Sequence, residues 1–486
     1  MILRELDAPA RVLRELAARH PERYPVLFDS AADGPLSRVS VLVARPRAAL
    51  WLDAQGRLRV EGKVPAQVAQ PLRSGGASGA APLEGRGGGF LDALERWVRA
   101  DCRSGEPRLP AGLPFSGGWA VFLGYELAAE IEPRLTLPRR LAPQPWQAFA
   151  LRVPGALVHD QLAGVVYATA EKDAAGVLDA IERDVGEAVR ARGAIADTHP
   201  APLEVAQVTE EDPQAYLERV RRGKDYIRAG DIYQTNLSRP WRVELRGAAE
   251  VGLLYERLRV VNPAPFAALA QWHGAAVLSS SPERLVRVAG RRVETRPIAG
   301  TRPRSRKPGE DAREIAALVG HPKERAEHIM LIDLERNDLG RVCEAGTVRV
   351  EELMSIESYA HVHHIVSSVT GTLRQDVTLI DALRAVFPGG TITGCPKFRC
   401  MQIIAELEGE GRGAYTGSLG LIGLDGTMDF NILIRTMTLT GRSIEFRAGA
   451  GIVADSDPQR ELEETRAKAR GLLAAFDKGA QAGAAQ

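Results

Sequence analysis

The feature that most limits what this chain can become is the order of its apolar segments. Short β-type runs come early, VSVLVA (39–44), ALWLDA (49–54) and ALVHD (156–160), with helical patterns at 90–101 and 174–189. A helix over 211–229 follows, then strands near 275–279 and 284–288, and a helix from Arg313. Further helices are predicted over 322–334, 379–386 and 397–408. Three strand-like segments at 417–424, 429–438 and 443–448 then lead into a last helix at 458–476. Strands grouped with strands and helices with helices predict an α+β protein with antiparallel sheets, not a βαβ repeat. No internal period of about 20–50 residues is visible, which argues against a solenoid.

Composition narrows the function classes. The 486 residues carry 63 Lys+Arg against 62 Asp+Glu, a net charge of +1. Such a chain has no global field for nucleic acid or an anionic membrane, so an anionic ligand must be met by locally placed groups. Only 8 of the basic residues are Lys, against 55 Arg, which makes each Lys worth noticing. The four cysteines form neither a disulfide framework nor a paired metal knuckle, because Cys395 and Cys400 have no matching pair elsewhere. A reducing cytoplasm is the expected location. The start, MILRELDAPARVLRELAARHPERYP, alternates apolar with charged residues and reads as neither signal peptide nor anchor, and no later segment supplies 18 apolar residues.

Two composition breaks stand out. Residues 71–89, PLRSGGASGAAPLEGRGGG, read as a mobile surface excursion, and 191–206 marks the end of a helical pattern followed by Pro200 and Pro202. The last residues, 479–486, are expected to form a disordered tail.

Two carboxylate pairs carry possible chemistry: Glu324 with Glu327 in KERAEH, and Glu461 with Glu464 in RELEETRAKAR. The i, i+3 spacing puts each pair on one helix face. Two such helices could hold a hard divalent ion with sites left for water and substrate, although solvated acidic faces have the same spacing. Beside the second pair lies AGAGIVADSDP (448–458), where Gly449 and Gly451 are expected to follow a strand and to let backbone N–H groups approach an anion. Lys468 falls one turn beyond Glu464, as an i, i+4 ion pair or as part of an anion site. SSSPERLV, TRPIAGTRPR and FPGGTITGCPKFRC are Gly/Pro-punctuated loops of the kind that carry binding groups, yet none has Walker A or dinucleotide spacing. In YAHVHHIVSS, His361 and His364 are placed to share a helical face; without the Glu of H-E-x-x-H the pattern favours a single functional or core His.

Together these motifs resemble the chorismate-utilising enzymes. SPERL, RPIAGTRPR, ERAEHIMLIDLERNDLGRV, YAHVHHIVSSVTGTLR, GGTITGCPKFRCM, GRGAYTGSLG, ILIRTM and AGAGIVADSDP…ELEETRAKA carry the likeness over 210–475. Weaker matches at RYPVLFDSA…SRVSVLVARP and PFSGGWAVFLGYELA extend it over nearly the whole chain. The resemblance implies an anthranilate-synthase-like, two-subdomain α+β fold with antiparallel sheets packed in a sandwich and helices outside. It divides the chain into an N-terminal region (1–200) and a chorismate-binding catalytic region (207–478).

Carried over by motif position, the resemblance implies Mg²⁺ held by Glu324, Glu327, Glu461 and Glu464, acting on the ring carboxylate of chorismate. It assigns Tyr415, Arg435 and Lys468 to the carboxylates, with backbone N–H groups of Gly300, Thr301 and Gly451 completing the cradle. Glu283 matches the general acid that protonates the departing C4 hydroxyl, and His364 a histidine beside the ring. Isochorismate and salicylate synthases place a Lys where this chain has Gln234 and a small residue where it has Thr391. Gln234 cannot activate water, so ammonia is the implied nucleophile. NPAPFAAL (262–269), LFDS (27–30), MDFNILIRT and SRVSVLVARP resemble the aminodeoxychorismate synthase branch, which aminates C4 on the way to p-aminobenzoate and folate. Ala299 instead matches anthranilate synthases, which aminate C2 and eliminate pyruvate towards tryptophan, because the lysine-type enzymes carry PIKGT there. The first branch is the expectation, the second its alternative, and a non-catalytic regulatory protein on the same fold a minor one. No glutaminase Cys–His–Glu set is present, so a separate glutamine amidotransferase subunit is the expected ammonia source.

Overall fold

The computed structural model describes residues 2–32, 34, 36–68, 88–102, 113, 115, 117–138, 144–194, 203–304, 307–320, 322–359 and 362–477. Most of the break at 71–89, the middle of that at 191–206, and the expected tail at 479–486 lie outside these residues.

Among the described residues the strands build two antiparallel sheets, of twelve and eleven strands, counting Gly394–Cys395 paired beside Gln234–Leu245 in the larger and Arg349–Ser358 paired beside Val362–Thr372 in the smaller. In the larger, Ile2–Leu6, Val165–Ala170, Gly155–Asp160, Val39–Ala44 and Val26–Asp29 are followed across the sheet by Phe266–Trp272, Ala275–Ser281, Thr436–Thr440, Ser443–Ile452, Gln234–Leu245 and Val205–Glu210. In the smaller, Ile298–Pro303, Val362–Thr372, Arg292–Arg296, Arg284–Ala289, Met428–Asn431 and Ser418–Gly423 lead to Gly118–Leu123, Trp146–Val153, Ala48–Asp53 and Leu58–Gly62. Both sheets therefore mix strands from before and after residue 200.

The sheets pack face to face. Val26, Val41, Ala268 and Val277 from one meet Phe122, Phe149, Leu151 and Leu419 from the other. Phe122 and Phe149 stack at 5.5 Å between centroids, and Trp146 meets Phe122 edge-on at 4.7 Å. The period-2 alternation of a strand explains the sequence here. In GWAVFL, Ala120 and Phe122 point into the sandwich, while Trp119, Val121 and Leu123 point outward under helices Phe90–Asp101, Pro322–Gly340 and Leu379–Val386. Covered on both faces, the strand is apolar throughout. The outer face of the larger sheet is covered in the same way by Val12–Arg19, Ala175–Ala194, Val251–Val261 and Pro458–Leu473. Each fully buried Leu or Phe in these layers contributes about 1.5–3 kcal/mol. The observed architecture is the expected sandwich with helices outside.

Two local expectations are corrected. The segment 429–438 is not one strand: Met428–Asn431 belongs to the smaller sheet and Thr436–Thr440 to the larger, with the chain crossing between them at 432–435. His364 lies on the strand Val362–Thr372, not on a helix, and His361 lies outside the described residues. The β-branched run in VHHIVSSVTGT favours an extended chain paired on both sides, which overrides the helical spacing of the histidines.

Candidate active site

The site forms at two of the places where the chain passes from one sheet to the other. At the first crossing Ala275–Ser281 of the larger sheet gives way to Arg284–Ala289 of the smaller, and Glu283 sits in the gap. At the second, residues 432–435 return to the larger sheet, with Arg435 in a left-handed conformation at φ 51°. Backbone bonds lock the crossings together: Ile432 N–H donates to Glu283 O at 3.0 Å, and Ser280 N–H donates to Arg435 O at 3.0 Å. A non-glycine residue at positive φ costs of order 1–3 kcal/mol, which the bonds locking the two crossings offset.

Glu283 is buried, and that burial pushes its carboxyl up to about 7. The Thr391 hydroxyl, the Ile298 N–H at 3.5 Å and the charges of Arg435 and Lys468 oppose the rise. Thr391 approaches Glu283 without the geometry of a full hydrogen bond, since its Oγ1 is a buried oxygen with no bonded partner. A carboxyl that still holds its proton near neutrality suits a general acid. The Arg435 side chain makes no hydrogen bond or ion pair among the described residues; burial lowers its pKa and the charge of Glu283 raises it. Burial and the neighbouring Arg435 hold His364 down at about 3, so its imidazole is neutral at physiological pH. A neutral ring can polarise a neighbour but brings no charge.

The strand Ile298–Pro303 forms one wall. Its Thr301 is paired with His364 and its Ala299 with Ile365, and Ala299 is buried. Gly300 has φ 68°, and a β-carbon there would stand 2.3 Å from Glu324 Oε2. On the opposite wall, Gly449 and Gly451 lie inside the strand Ser443–Ile452, not in a turn after it. A β-carbon on Gly449 would meet Tyr415 Oη at 2.7 Å and Asn236 Oδ1 at 2.8 Å. One on Gly451 would meet Gln234 Nε2 at 2.5 Å and Glu327 Oε1 at 3.4 Å. The glycines are there because polar side chains cross directly over the backbone. Gln234 donates to Glu327 Oε1 at 3.1 Å, while its own Oε1 is buried without a bonded partner.

The helix Pro458–Leu473 is started by Asp457, whose carboxylate accepts from Arg460 N–H at 2.9 Å, and by Pro458 in its first turn. This start aims Lys468 back at the glycine strand, where its ammonium donates to Gly449 O at 2.8 Å and pairs with Glu464 at 2.8 Å. Glu324 pairs with Arg302 at 2.9 Å. Glu327 adjoins Gly451, and Glu461 is buried near Tyr216, whose hydroxyl is pushed up by its burial and then by the Glu461 charge. As donors the four carboxylates suit Mg²⁺, which takes oxygen ligands and commonly keeps one or two protein carboxylates with water and substrate. Among the described residues, however, no three acidic, His or Cys side chains converge on one point. Two of the four are engaged with Arg302 and Lys468 instead.

A profile described as "chorismate binding enzyme" matches residues 90–474. The chain belongs to the chorismate-binding enzyme family. Anthranilate synthase component 1 of Streptomyces coelicolor is 43% identical over 411 residues, 81% of this chain and 78% of that protein. The Synechocystis protein of the same name is 36% identical over 502 residues, covering 97% and 94%. The crystal structure of anthranilate synthase component I from Streptococcus pneumoniae superposes with a TM-score of 0.73 at 31% identity, over 90% of this chain and 92% of that one. In this member of the family no helix among the described residues is long and apolar enough to cross a membrane.

Several residues that shape the site escaped the sequence reading. Glu408, Arg412 and Arg447 form a buried cluster, with Glu408–Arg412 at 2.7 Å and Glu408–Arg447 at 3.1 Å. Arg412 lies over Tyr415 at 5.5 Å and donates to the backbone Asn236 O at 2.7 Å, so the cluster holds the Tyr415 ring and the Asn236 backbone opposite Gly449. Glu408 and Arg412 have the i, i+4 spacing of a surface pair, and only Arg447, on a distant strand, shows that the pair is internal.

Proposed function

We propose that this chorismate-binding enzyme is the synthase component of an anthranilate synthase. It aminates chorismate at C2, expels the C4 hydroxyl as water and eliminates pyruvate. The observation that carries this reading is Ala299: the buried wall position next to Gly300 holds a methyl group, so no lysine is there to attack C2 and divert ammonia to C4. The anthranilate synthases among its relatives, similar over most of the chain, support the same reading.

The features that favoured the aminodeoxychorismate branch weigh less than they did separately. Asp29 of LFDS and Ala267 of NPAPFAAL are paired across neighbouring strands, so both report one place in the larger sheet. There Asp29 is bound to Arg259 at 2.9 Å, to Ser40 Oγ at 3.1 Å and to Tyr255 Oη at 3.3 Å, a local network outside the Glu283–Arg435 cleft.

In the proposed reaction ammonia forms its bond at C2 while the ring double bonds shift and the C4–O bond breaks. Glu283 gives its proton to the leaving oxygen, and water departs. The ammonium formed at C2 returns a proton to Glu283; the C2 proton is then lost as the C3–O bond breaks, and one proton added to the enol carbon of the departing group gives pyruvate and the aromatic product. Arg435, Tyr415, Lys468 and the backbone of Gly300, Thr301 and Gly451 bind and orient the carboxylates. Gln234 holds Glu327, and Thr391 and His364 set the surroundings of Glu283. Glu324, Glu327, Glu461 and Glu464 would hold Mg²⁺, which when bound supplies Lewis-acid charge at a substrate carboxylate. Ammonia would come from a separate glutamine amidotransferase subunit.

The test is to incubate the purified chain with chorismate, Mg²⁺ and ammonium and to follow anthranilate fluorescence. Anthranilate formed without any added lyase is the expected result. A product converted to p-aminobenzoate only after a lyase is added overturns the proposal. With glutamine replacing ammonium the lone chain should be inactive.

A further inference from the structure

A second buried carboxyl stands behind the proposed acid. Glu335 lies on the helix Pro322–Gly340, just over two turns beyond Glu327, and only 4% of its surface is exposed. It packs beneath the 3₁₀ turn Gly390–Ile392: a β-carbon on Gly390 would be 3.2 Å from Glu335 Oε1 and 2.5 Å from Leu334. The next residue in that turn is Thr391, whose hydroxyl approaches Glu283. One turn of chain thus separates the two acids, with Glu283 on the cleft side and Glu335 on the helix side.

Four groups act most strongly on Glu335. Asp338 lies one helical turn on, Lys397 comes from the helix Lys397–Glu408, Thr295 from the strand Arg292–Arg296, and Glu283 from across the turn. Asp338 is ion-paired to Lys397 and, at 3.0 Å, to Arg341. Asp338 and Lys397 also line a cavity of about 180 Å³ together with Arg341 and Phe398. Burial is the main cause that pushes Glu335 up to about 8, with the charges of Asp338 and Glu283 adding to it and Lys397 and Thr295 opposing. Two dry carboxyls that feel one another do not both ionise near neutrality, and their protons leave as a pair property.

We propose that Glu335 is a positioning residue for the amination, a buried carboxyl that props the Gly390–Thr391 turn and whose proton occupancy governs that of Glu283. The proposal rests on Glu283 being the acid. While Glu335 keeps its proton, Glu283 can pass from acid to carboxylate and back without a second negative charge behind it. When the pair has lost one proton, the remaining one is divided between the two sites, and the molecules that hold it on Glu283 are still competent.

The experiment follows chorismate consumption, whatever the product, at saturating ammonium between pH 6 and 9.5. In the wild type kcat/KM should decline in two alkaline steps. In E335Q, which keeps the shape and hydrogen-bonding size but removes the titration, the decline should become a single step. Thermal unfolding checks that E335Q is folded. If it is not, D338N serves instead: removal of that charge should draw the second step to lower pH. A two-step curve retained in E335Q overturns the proposal, as does an equal loss of rate at every pH, which would make Glu335 a structural prop only. Turnover retained in E283Q would overturn the reading of Glu283 as the acid, independently of any change at Glu335.

Discussion

Gly300 and Glu324 meet so closely that a β-carbon on the glycine would stand 2.3 Å from the glutamate Oε2, with Leu318 Cδ1 at 2.9 Å on the same side. The glycine is also left-handed, at φ 68°, a conformation that costs other residues about 1–2 kcal/mol. Gly300→Ala should therefore destabilise the fold by roughly that amount and push Glu324 out of line with the wall. The expected result is a lower midpoint in urea and a KM for chorismate raised about tenfold or more, a loss of at least ~1.4 kcal/mol in binding. A variant with wild-type KM would show that Glu324 need not sit against this strand.

Gly451 makes the complementary case on the other wall. Its φ is unstrained, so the backbone tolerates alanine, but the added carbon would lie 2.5 Å from Gln234 Nε2 and displace the hydrogen bond to Glu327. Gly451→Ala should lower kcat/KM by about 10–100-fold, on the order of one or two charge-assisted hydrogen bonds, with stability changed by less than ~1 kcal/mol. Gln234→Leu should reproduce the kinetic loss. If Gly451→Ala is impaired and Gln234→Leu is not, the glycine serves the ligand through its backbone and not through the glutamine.

Burial of Glu283 makes a stability prediction with a definite sign. Its folded pKa, about 7, stands above the ordinary value of 4.5, so the folded state holds this proton more firmly than the unfolded chain. The group's contribution is fully present below about pH 4.5 and is lost as pH rises towards 7; the total is about 3 kcal/mol at 1.36 kcal/mol per pK unit. Glu283→Gln, neutral at every pH, should match the wild type near pH 4 and exceed it by up to roughly that amount at pH 8. Urea titrations at the two pH values decide this, and equal differences at both would mean that Glu283 is not desolvated. The same variant should be nearly inactive.

The outline of the fold was legible because alternation in strands such as VSVLVA and GWAVFL is a local signal that burial on both faces reinforces. What escaped was set by distant partners. Nothing within MDFNILIRTMTLT announces that its first half pairs with Arg284–Ala289 and its second with Ala275–Ser281, yet that change of sheet places Arg435 opposite Glu283. The spacing of His361 and His364 suggested a helix, but the pairing of His364 with Thr301 fixed a strand. LFDS and NPAPFAAL looked like two independent markers until the pairing of Asp29 with Ala267 joined them. Glu335 had the look of any helical glutamate, because its neighbours Thr295, Gly390 and Lys397 come from three other segments.

Arg435 offers the sharpest separation of function from stability. Its guanidinium is held in the cleft without a hydrogen bond or ion pair among the described residues, and the positive φ of its backbone adds strain. A part-buried cation without an ion-pair partner adds little to the stability of the empty fold and gains its counter-charge when an anion arrives. Arg435→Met should therefore leave the urea midpoint unchanged or raise it, while the KM for chorismate rises about 100-fold, on the order of 3 kcal/mol for a lost charged contact. Arg435→Lys should fall between the two, because an ammonium keeps the charge but not the planar two-pronged grip on a carboxylate. Loss of stability in Arg435→Met, with KM unchanged, would instead make the arginine part of the scaffold.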